Sequence, residues 1–355
     1  MKENTNIQSI GQVDGIYEDA SYAMRVGPDG RLWFIGGKKS TQIYRFDGST
    51  AHKWDLNEDF GADVRTEVTF SGNNEVFFSV GRFKLDNPTV IKINEDSAEK
   101  WICEDLQNNM IIERMAYTPM GLVCVFGNGY GSEANDFRLW KSGQFIRLVD
   151  LSKQTEYITA LNLTSNGHLL IFDASEYKGI VYDLANKKIL NTFLTHRSYM
   201  KFITRGEYNI NYCDTRIEIR DPMGHLIHDV DTFGESGHPI SKIVRDIDSE
   251  AGVGYVNVEN VTFIDYEHIL IHFSDRQRGR RHYLRSIHIP TMSLDRHPLD
   301  GCIKSSQVIS GFHFDKSGAL WLNQYINKND HSKLIVVREG TKKPEIVNKP
   351  EHLFK

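Results

Sequence analysis

Apolar and polar residues alternate along this chain in short runs, and clusters of Gly, Asp, Asn, Ser and Lys separate the runs. In the first stretch the runs are 22–26, 32–36, 42–46 and 51–56. In a later one they are 158–163, 168–172, 179–183 and 188–193. A two-residue period places every second side chain on one face, so each run is predicted to be a half-buried strand and each pair of runs a hairpin. One segment departs from this. After His238-Pro239, the residues Ile240, Ile243, Val244 and Ile247 fall on a single helical face before Gly252, which predicts a helix of three turns or fewer within an insertion at 231–254.

The runs are organised by a recurring turn followed by an apolar strand. It reads Pro28-Asp29-Gly30-Arg31-Leu32-Trp33, then Gly72-Asn73-Asn74-Glu75-Val76-Phe77, then Pro119-Met120-Gly121-Leu122-Val123. It returns at Ser165-Asn166-Gly167-His168-Leu169, at Arg205-Gly206-Glu207-Tyr208, at Tyr266-Glu267-His268-Ile269 and at Lys316-Ser317-Gly318-Ala319-Leu320-Trp321. Gly30 and Gly318 lie 288 positions apart, six intervals of 48 on average. About four strands per unit of this length is the pattern of a β-propeller blade. One four-stranded sheet cannot bury both its faces, whereas a ring of them packs each face on a neighbour. The sequence therefore predicts an all-β fold: one domain over 1–355, a single seven-bladed propeller of four-stranded antiparallel blades. The expected blades span about 22–56, 63–105, 110–151, 157–194, 197–231, 254–300 and 306–349, with the helical insertion between the fifth and sixth. Residues 6–10 are expected either to add an outer strand beside 345–347 or simply to adjoin the other terminus.

Two of these turns, Gly27-Pro28-Asp29-Gly30-Arg31-Leu32-Trp33-Phe34 and Asp315-Lys316-Ser317-Gly318-Ala319-Leu320-Trp321, resemble the repeats of two-component-regulator and virginiamycin-lyase-like propellers. The other five units replace Trp with Phe, Val, Leu or Ile. The resemblance implies a propeller, and it implies that a lyase or lactonase site, where present, lies at the mouth of the central channel.

Charge narrows the partners. Forty-two basic and 47 acidic residues leave a net charge of −5, unsuited to coating nucleic acid. The residues Met1-Lys2-Glu3-Asn4-Thr5-Asn6 carry no apolar leader, and no apolar run approaches the roughly 20 residues of a membrane helix. A cytoplasmic chain, monomeric on its own and not membrane-bound, is expected. Cys103, Cys124, Cys213 and Cys302 have no metal-ligand spacing and read as buried reduced thiols.

In a propeller the connections between blades and those joining second to third strands share one face, called upper here. The long connections at 81–88, 127–136, 274–281 and 324–331 and the insertion at 231–254 all fall there, so the upper face is the predicted binding face. It offers Phe83, Tyr130, Tyr177 and Tyr325, the arginines Arg276, Arg278, Arg280 and Arg281, and the apolar stripe of Ile243 and Ile247. Aromatic and arginine side chains dominate protein interfaces. An aromatic-interleaved platform for single strands is missing around the arginines.

The expected function is a non-catalytic propeller that engages a protein through this face, as an inhibitor or immunity-type protein or as a scaffold, with no cofactor and no metal. The alternative is a divalent-metal-dependent lyase or lactonase using Glu67, Glu113, Glu259 and His313 on the innermost strands as ligands or acid and base. His268 with His272, and His282 with His288, have spacing compatible with metal binding, although their apolar neighbours favour packing within a blade. No GxSxG, HExxH or phosphate-binding loop is present.

Overall fold

The computed structural model describes residues 7–9, 25–36, 42–46, 50–55, 67–80, 87–94, 97–103, 106, 110–127, 135–195, 201–231, 256–275, 281–297, 300, 308–315, 318, 320–325, 332–337 and 345–348. These form an all-β propeller. Strands pair in chain order within each sheet, from an innermost to an outer one. Six sheets are four-stranded and antiparallel: sheet 2 (68–102), sheet 3 (111–147), sheet 4 (158–194), sheet 5 (201–231), sheet 6 (256–296) and sheet 7, whose strands 308–337 are joined by Ile7–Ser9. The expectation of seven uniform four-stranded blades is corrected in sheet 1 (25–55). That sheet has five strands, because Glu345–Asn348 adds in parallel to Thr50–Asp55.

The turn signature acts through backbone geometry. Gly30, Gly167 and Gly318 have φ of 76°, 78° and 76°, and Asn74 takes the same role at 63°. Each amide donates to the carbonyl three residues earlier, at 2.9 Å in Gly30 and Gly167, 3.0 Å in Gly318 and 3.2 Å in Asn74. Gly and Asn tolerate this left-handed region, which is why these two residue types recur there. Gly121 is more constrained still: its φ is 132°, and an added Cβ would lie 2.4 Å from the Trp140 carbonyl oxygen. Neither the strain nor a backbone clash can relax cheaply. Gly121→Ala is therefore expected to cost about 3 kcal/mol or more, read as a lowered urea midpoint at unchanged slope.

Apolar clusters fill the spaces between neighbouring sheets. Trp33, Ile43 and Trp54 of sheet 1 pack on Val68, Val76 and Phe78 of sheet 2, and Phe77 and Val90 of sheet 2 pack on Met115, Cys124 and Phe126 of sheet 3. Burying one such large side chain contributes about 1.5–3 kcal/mol. The innermost strands touch from sheet 2 round to sheet 7, and Arg25–Val26 of sheet 1 meets Val308–Phe314 of sheet 7, which closes the ring. The Trp of both best-matching turns is buried, and Trp321 donates from Nε1 to Asp315 Oδ2 at 2.8 Å.

Polar residues also enter these interfaces, several of them with a partner that offsets desolvation. In five third strands a cation lies over an aromatic ring: Arg45 on Trp33 and Trp54, Lys92 on Trp101, Arg138 on Phe126, Arg220 on Phe193 and Arg285 on Tyr283. Three of them also hold buried carboxylates, Arg138 to Asp136, Arg220 to Glu218 and Arg285 to Asp300, at 2.7–3.0 Å.

Among the described residues there is one helix, Val149–Ser152, joining sheets 3 and 4. It was not predicted, because four residues are too few to show a period. The predicted helix at 240–247 lies outside the described residues. Within the predicted 6–10, Ile7–Ser9 does supply an outer strand, but it pairs antiparallel with Ser332–Val337 and not with 345–347. Cys103, Cys124 and Cys213 are buried thiols, and burial pushes the Cys124 thiol well above its ordinary pKa. Cys302 lies outside the described residues.

Candidate functional site

The channel mouth on the upper face is built by the leading ends of the innermost strands. Their pairing with the second strand slips by one residue at Glu113 in sheet 3, Thr159 in sheet 4, Glu259 in sheet 6 and Ser310 in sheet 7. A bulge of this kind re-aims a side chain at a sheet end. In sheet 2, Glu67 stands just before its strand, with its amide held by Ser79 Oγ at 2.8 Å.

Glu67, Glu113 and Glu259 thus occupy the same level of the ring. Each is engaged there. Glu67 accepts from Arg114 Nη1 at 3.0 Å, and Arg114 also donates from Nε to the Thr159 carbonyl at 2.6 Å and to the Glu113 carbonyl. One guanidinium therefore fastens the innermost strands of sheets 2, 3 and 4. The Glu113 side chain is buried, resting where Gly127 has no Cβ; an added one would come within 2.6 Å of the carboxyl. Glu259 accepts from Ser274 Oγ, and its carbonyl accepts from Lys201 Nζ at 3.1 Å. His313 does not join them. It pairs with Trp321 next to the turn at the far end of its strand, toward the lower face. Among the described residues no three His, Cys, Asp or Glu side chains are grouped as metal ligands.

The histidines of sheet 6 form two pairs. His268 lies directly across from His288, with ring centroids 4.8 Å apart, and His268 Nδ1 meets Asp265 at 2.9 Å. His272 Nε2 meets His282 Nδ1 at 2.8 Å, buried beside Phe312. Burial above all, with the nearby His282 and Lys201, lowers the His272 pKa to about 3. This packed pair is of the kind the apolar neighbours favoured.

Of the predicted contact residues, Tyr177 and Arg281 are described and both are exposed. Tyr177 has a φ of 53° in its turn, and its carbonyl accepts from the Thr195 amide at 2.8 Å. Tyr325 ends the second strand of sheet 7 at the upper edge. Phe83, Tyr130, Arg276, Arg278, Arg280, Ile243 and Ile247 lie outside the described residues. Sequence reasoning missed Ile102, Ile146, Val149 and Leu194. These exposed apolar side chains sit where the outer strands of sheets 2, 3 and 4 run out to the upper face. Their signal was an apolar residue at, or just beyond, the end of an outer strand. Met120 and Tyr266, also exposed, lie in lower-face turns of sheets 3 and 6, and Leu226 and Ile227, likewise exposed, begin the outer strand of sheet 5 at that face.

No family model matches the chain, and no curated protein does either. Solved structures do match. A catalytically inactive variant of virginiamycin B lyase from Staphylococcus aureus with quinupristin is 13% identical with a TM-score of 0.59, covering 94% of this chain and 98% of that one. A chain of the mitotic checkpoint complex is 10% identical with a TM-score of 0.58, over 94% and 96%. YCF48 bound to D1 peptide is 11% identical with a TM-score of 0.57, over 95% and 98%. At such identities the likeness reports architecture alone, and it agrees with the sheet-by-sheet topology: this chain is a β-propeller repeat protein.

Proposed function

We propose that this chain is a protein-binding propeller whose upper face covers a partner protein, with the five-stranded sheet serving as the seventh blade. The observation that carries this reading is the row of exposed apolar side chains along the upper rim of three successive sheets. Leu194 is 76% exposed and Tyr177 47%, with Ile102, Ile146 and Val149 alongside. Solvent-facing apolar groups at strand ends are costly unless something covers them. The neighbours add support, since one belongs to a checkpoint complex and another holds a peptide on the same architecture. Within this class a cytoplasmic inhibitor or immunity-type protein and a scaffold both fit. The channel mouth supports the lyase or lactonase alternative less well, because Glu67 and Glu259 are already engaged and His313 lies at the far end of its strand.

The test is affinity capture from native lysate with the unaltered chain and with a Tyr177→Asp/Leu194→Asp variant. Both side chains are exposed, so the variant is expected to melt normally. A partner retained by the unaltered chain and reduced about tenfold in the variant is the expected result, a change of about 1.4 kcal/mol in binding. Equal capture by both places the interface elsewhere, and no retained partner overturns the reading.

A further inference from the structure

We propose that the lower face of sheet 6 carries a site for a divalent cation of the zinc class, held by His288, Glu267 and His268. The three residues lie at the lower ends of the second and third strands, on the face opposite the apolar rim. The site is thus independent of the partner surface proposed above.

Register brings the two rings together. His268 opens the second strand and His288 ends the third, and the two are direct partners with ring centroids 4.8 Å apart. The groups around them fix which nitrogen of each ring carries the hydrogen. Asp265 accepts from the Glu267 and His268 amides, each at 2.8 Å, and this pinned carboxylate meets His268 Nδ1 at 2.9 Å. A carboxylate only accepts, so His268 donates from Nδ1. On His288, Nδ1 meets Thr291 Oγ1 at 2.7 Å. The Thr291 hydroxyl gives its own hydrogen to Ser293 Oγ at 3.0 Å, so it accepts from His288 Nδ1. Both neutral rings are left with a bare Nε2. Metal-binding histidines use this arrangement, in which an outer partner on one nitrogen presents the lone pair of the other.

The Glu267 carboxylate meets His288 Nε2 at 3.6 Å. With the ring hydrogen on Nδ1, two lone-pair atoms face each other there, and a cation between them makes the approach favourable. Well above the ordinary histidine pKa of about 6.5, that cation is not a proton. Zinc binds imidazole nitrogen and carboxylate oxygen at about 2.1 Å, so two donors on a tetrahedral zinc stand roughly 3.4 Å apart, close to the separation seen here. These two donors are preset and His268, one ring away, is the third; among the described residues no three donors stand ready grouped. Imidazole favours zinc over magnesium or calcium. Negative charge gathers at this spot as well: burial first, then Glu267 and Glu207, raises the pKa of the neighbouring Tyr208 phenol. The donors are reachable, since the side chains of His268, His288 and Glu267 are 42%, 28% and 61% exposed.

The experiment titrates the full chain at pH 7.5 with zinc chloride, and separately with magnesium and calcium, while NMR follows the ring nitrogens of each histidine. Before metal is added, His268 and His288 are expected to show a hydrogen on Nδ1 and a bare Nε2. One equivalent of zinc is expected to move both Nε2 signals, whereas magnesium and calcium at tenfold higher concentration leave them in place. His225, exposed and held by Asp221 at 2.8 Å, is the control for zinc taken up by any surface imidazole. Glu267→Gln and His288→Gln are each expected to weaken zinc at least tenfold with an unchanged melting temperature. Shifts absent from His268 and His288, or no larger there than at His225, overturn the proposal, as does zinc affinity unchanged in either variant. Magnesium or calcium binding as tightly as zinc overturns the zinc class. If His288→Gln fails to fold, His268→Gln replaces it, and unchanged affinity again counts against the site.

Discussion

Unfolding free energy is expected to fall by about 2–3 kcal/mol as pH drops from 6.5 to 4.5, chiefly through His272. The hydrogen bonds around this ring fix its neutral form. Asn260 Nδ2 donates to the Ile309 carbonyl at 3.3 Å, which orients the amide, and the same nitrogen meets His272 Nδ1 at 3.3 Å. Nδ1 is therefore an acceptor, and Nε2–H donates to His282 Nδ1 at 2.8 Å. A second proton would have to sit on Nδ1, facing the Asn260 N–H. Burial is the largest cause of the lowered pKa, with the nearby His282 and Lys201 adding to it, and the value falls from 6.5 to about 3.

The sign follows from which state takes up the proton. Below pH 6.5 the unfolded chain protonates this histidine and the folded chain does not. The contribution is fully present above pH 6.5 and is lost as pH falls toward 3, at up to about 1.4 kcal/mol per unit. Urea midpoints measured from pH 7.5 to 4.5 read this directly. His272→Leu is expected to start less stable, having lost both hydrogen bonds, and to show a flatter profile. A profile equally steep in the variant would assign the acid sensitivity to other groups.

Removing residues 1–12 is expected to lower the melting temperature by about 5 °C and to promote self-association. Ile7–Ser9 is the outer strand of sheet 7, in register with Ile335, Val336 and Val337. Without it the edge of Ser332–Val337 is unpaired, and its sequence, Ser-Lys-Leu-Ile-Val-Val, is apolar enough to template strand addition from another chain. For a chain of this length a loss of 1 kcal/mol lowers the melting temperature by roughly 1–2 °C, so the expected drop corresponds to a few kcal/mol. Size-exclusion chromatography tests the second half of the expectation. A truncated chain that melts normally and stays monomeric would show that this strand contributes nothing to closure.

The parts of this architecture that are legible in the sequence are those set by neighbours in the chain. Gly30, Gly167 and Gly318 announce their turns because few other residues accept those angles, and short apolar runs bounded by turn residues, such as Leu32–Gly36 or Lys178–Asp183, mark strands within a residue or two. The fifth strand of sheet 1 was not legible, because it is a parallel pairing between segments almost 300 positions apart and no local pattern records such a partner. The same holds at the channel mouth. Glu67, Glu113 and Glu259 were found from their place at the start of innermost strands. That Arg114 would take up Glu67, or that His313 would sit at the opposite end, depends on register and on bulges that add single residues. The cations stacked on Trp, Phe and Tyr rings escaped notice for a like reason: their partners lie on other strands.

The two chain ends have a consequence for how the ring comes apart. Sheet 7 receives its last strand from the N-terminal end, and sheet 1 receives its extra strand from the C-terminal end. The polypeptide therefore passes from one of these sheets to the other twice, once along each end, whereas every other pair of neighbouring sheets is joined by the chain only once. The boundary where a linear chain must meet itself is double-stitched, and parting it requires both end strands to peel away. Opening this boundary under mechanical load is therefore expected to draw on both end strands, Ile7–Ser9 and Glu345–Asn348.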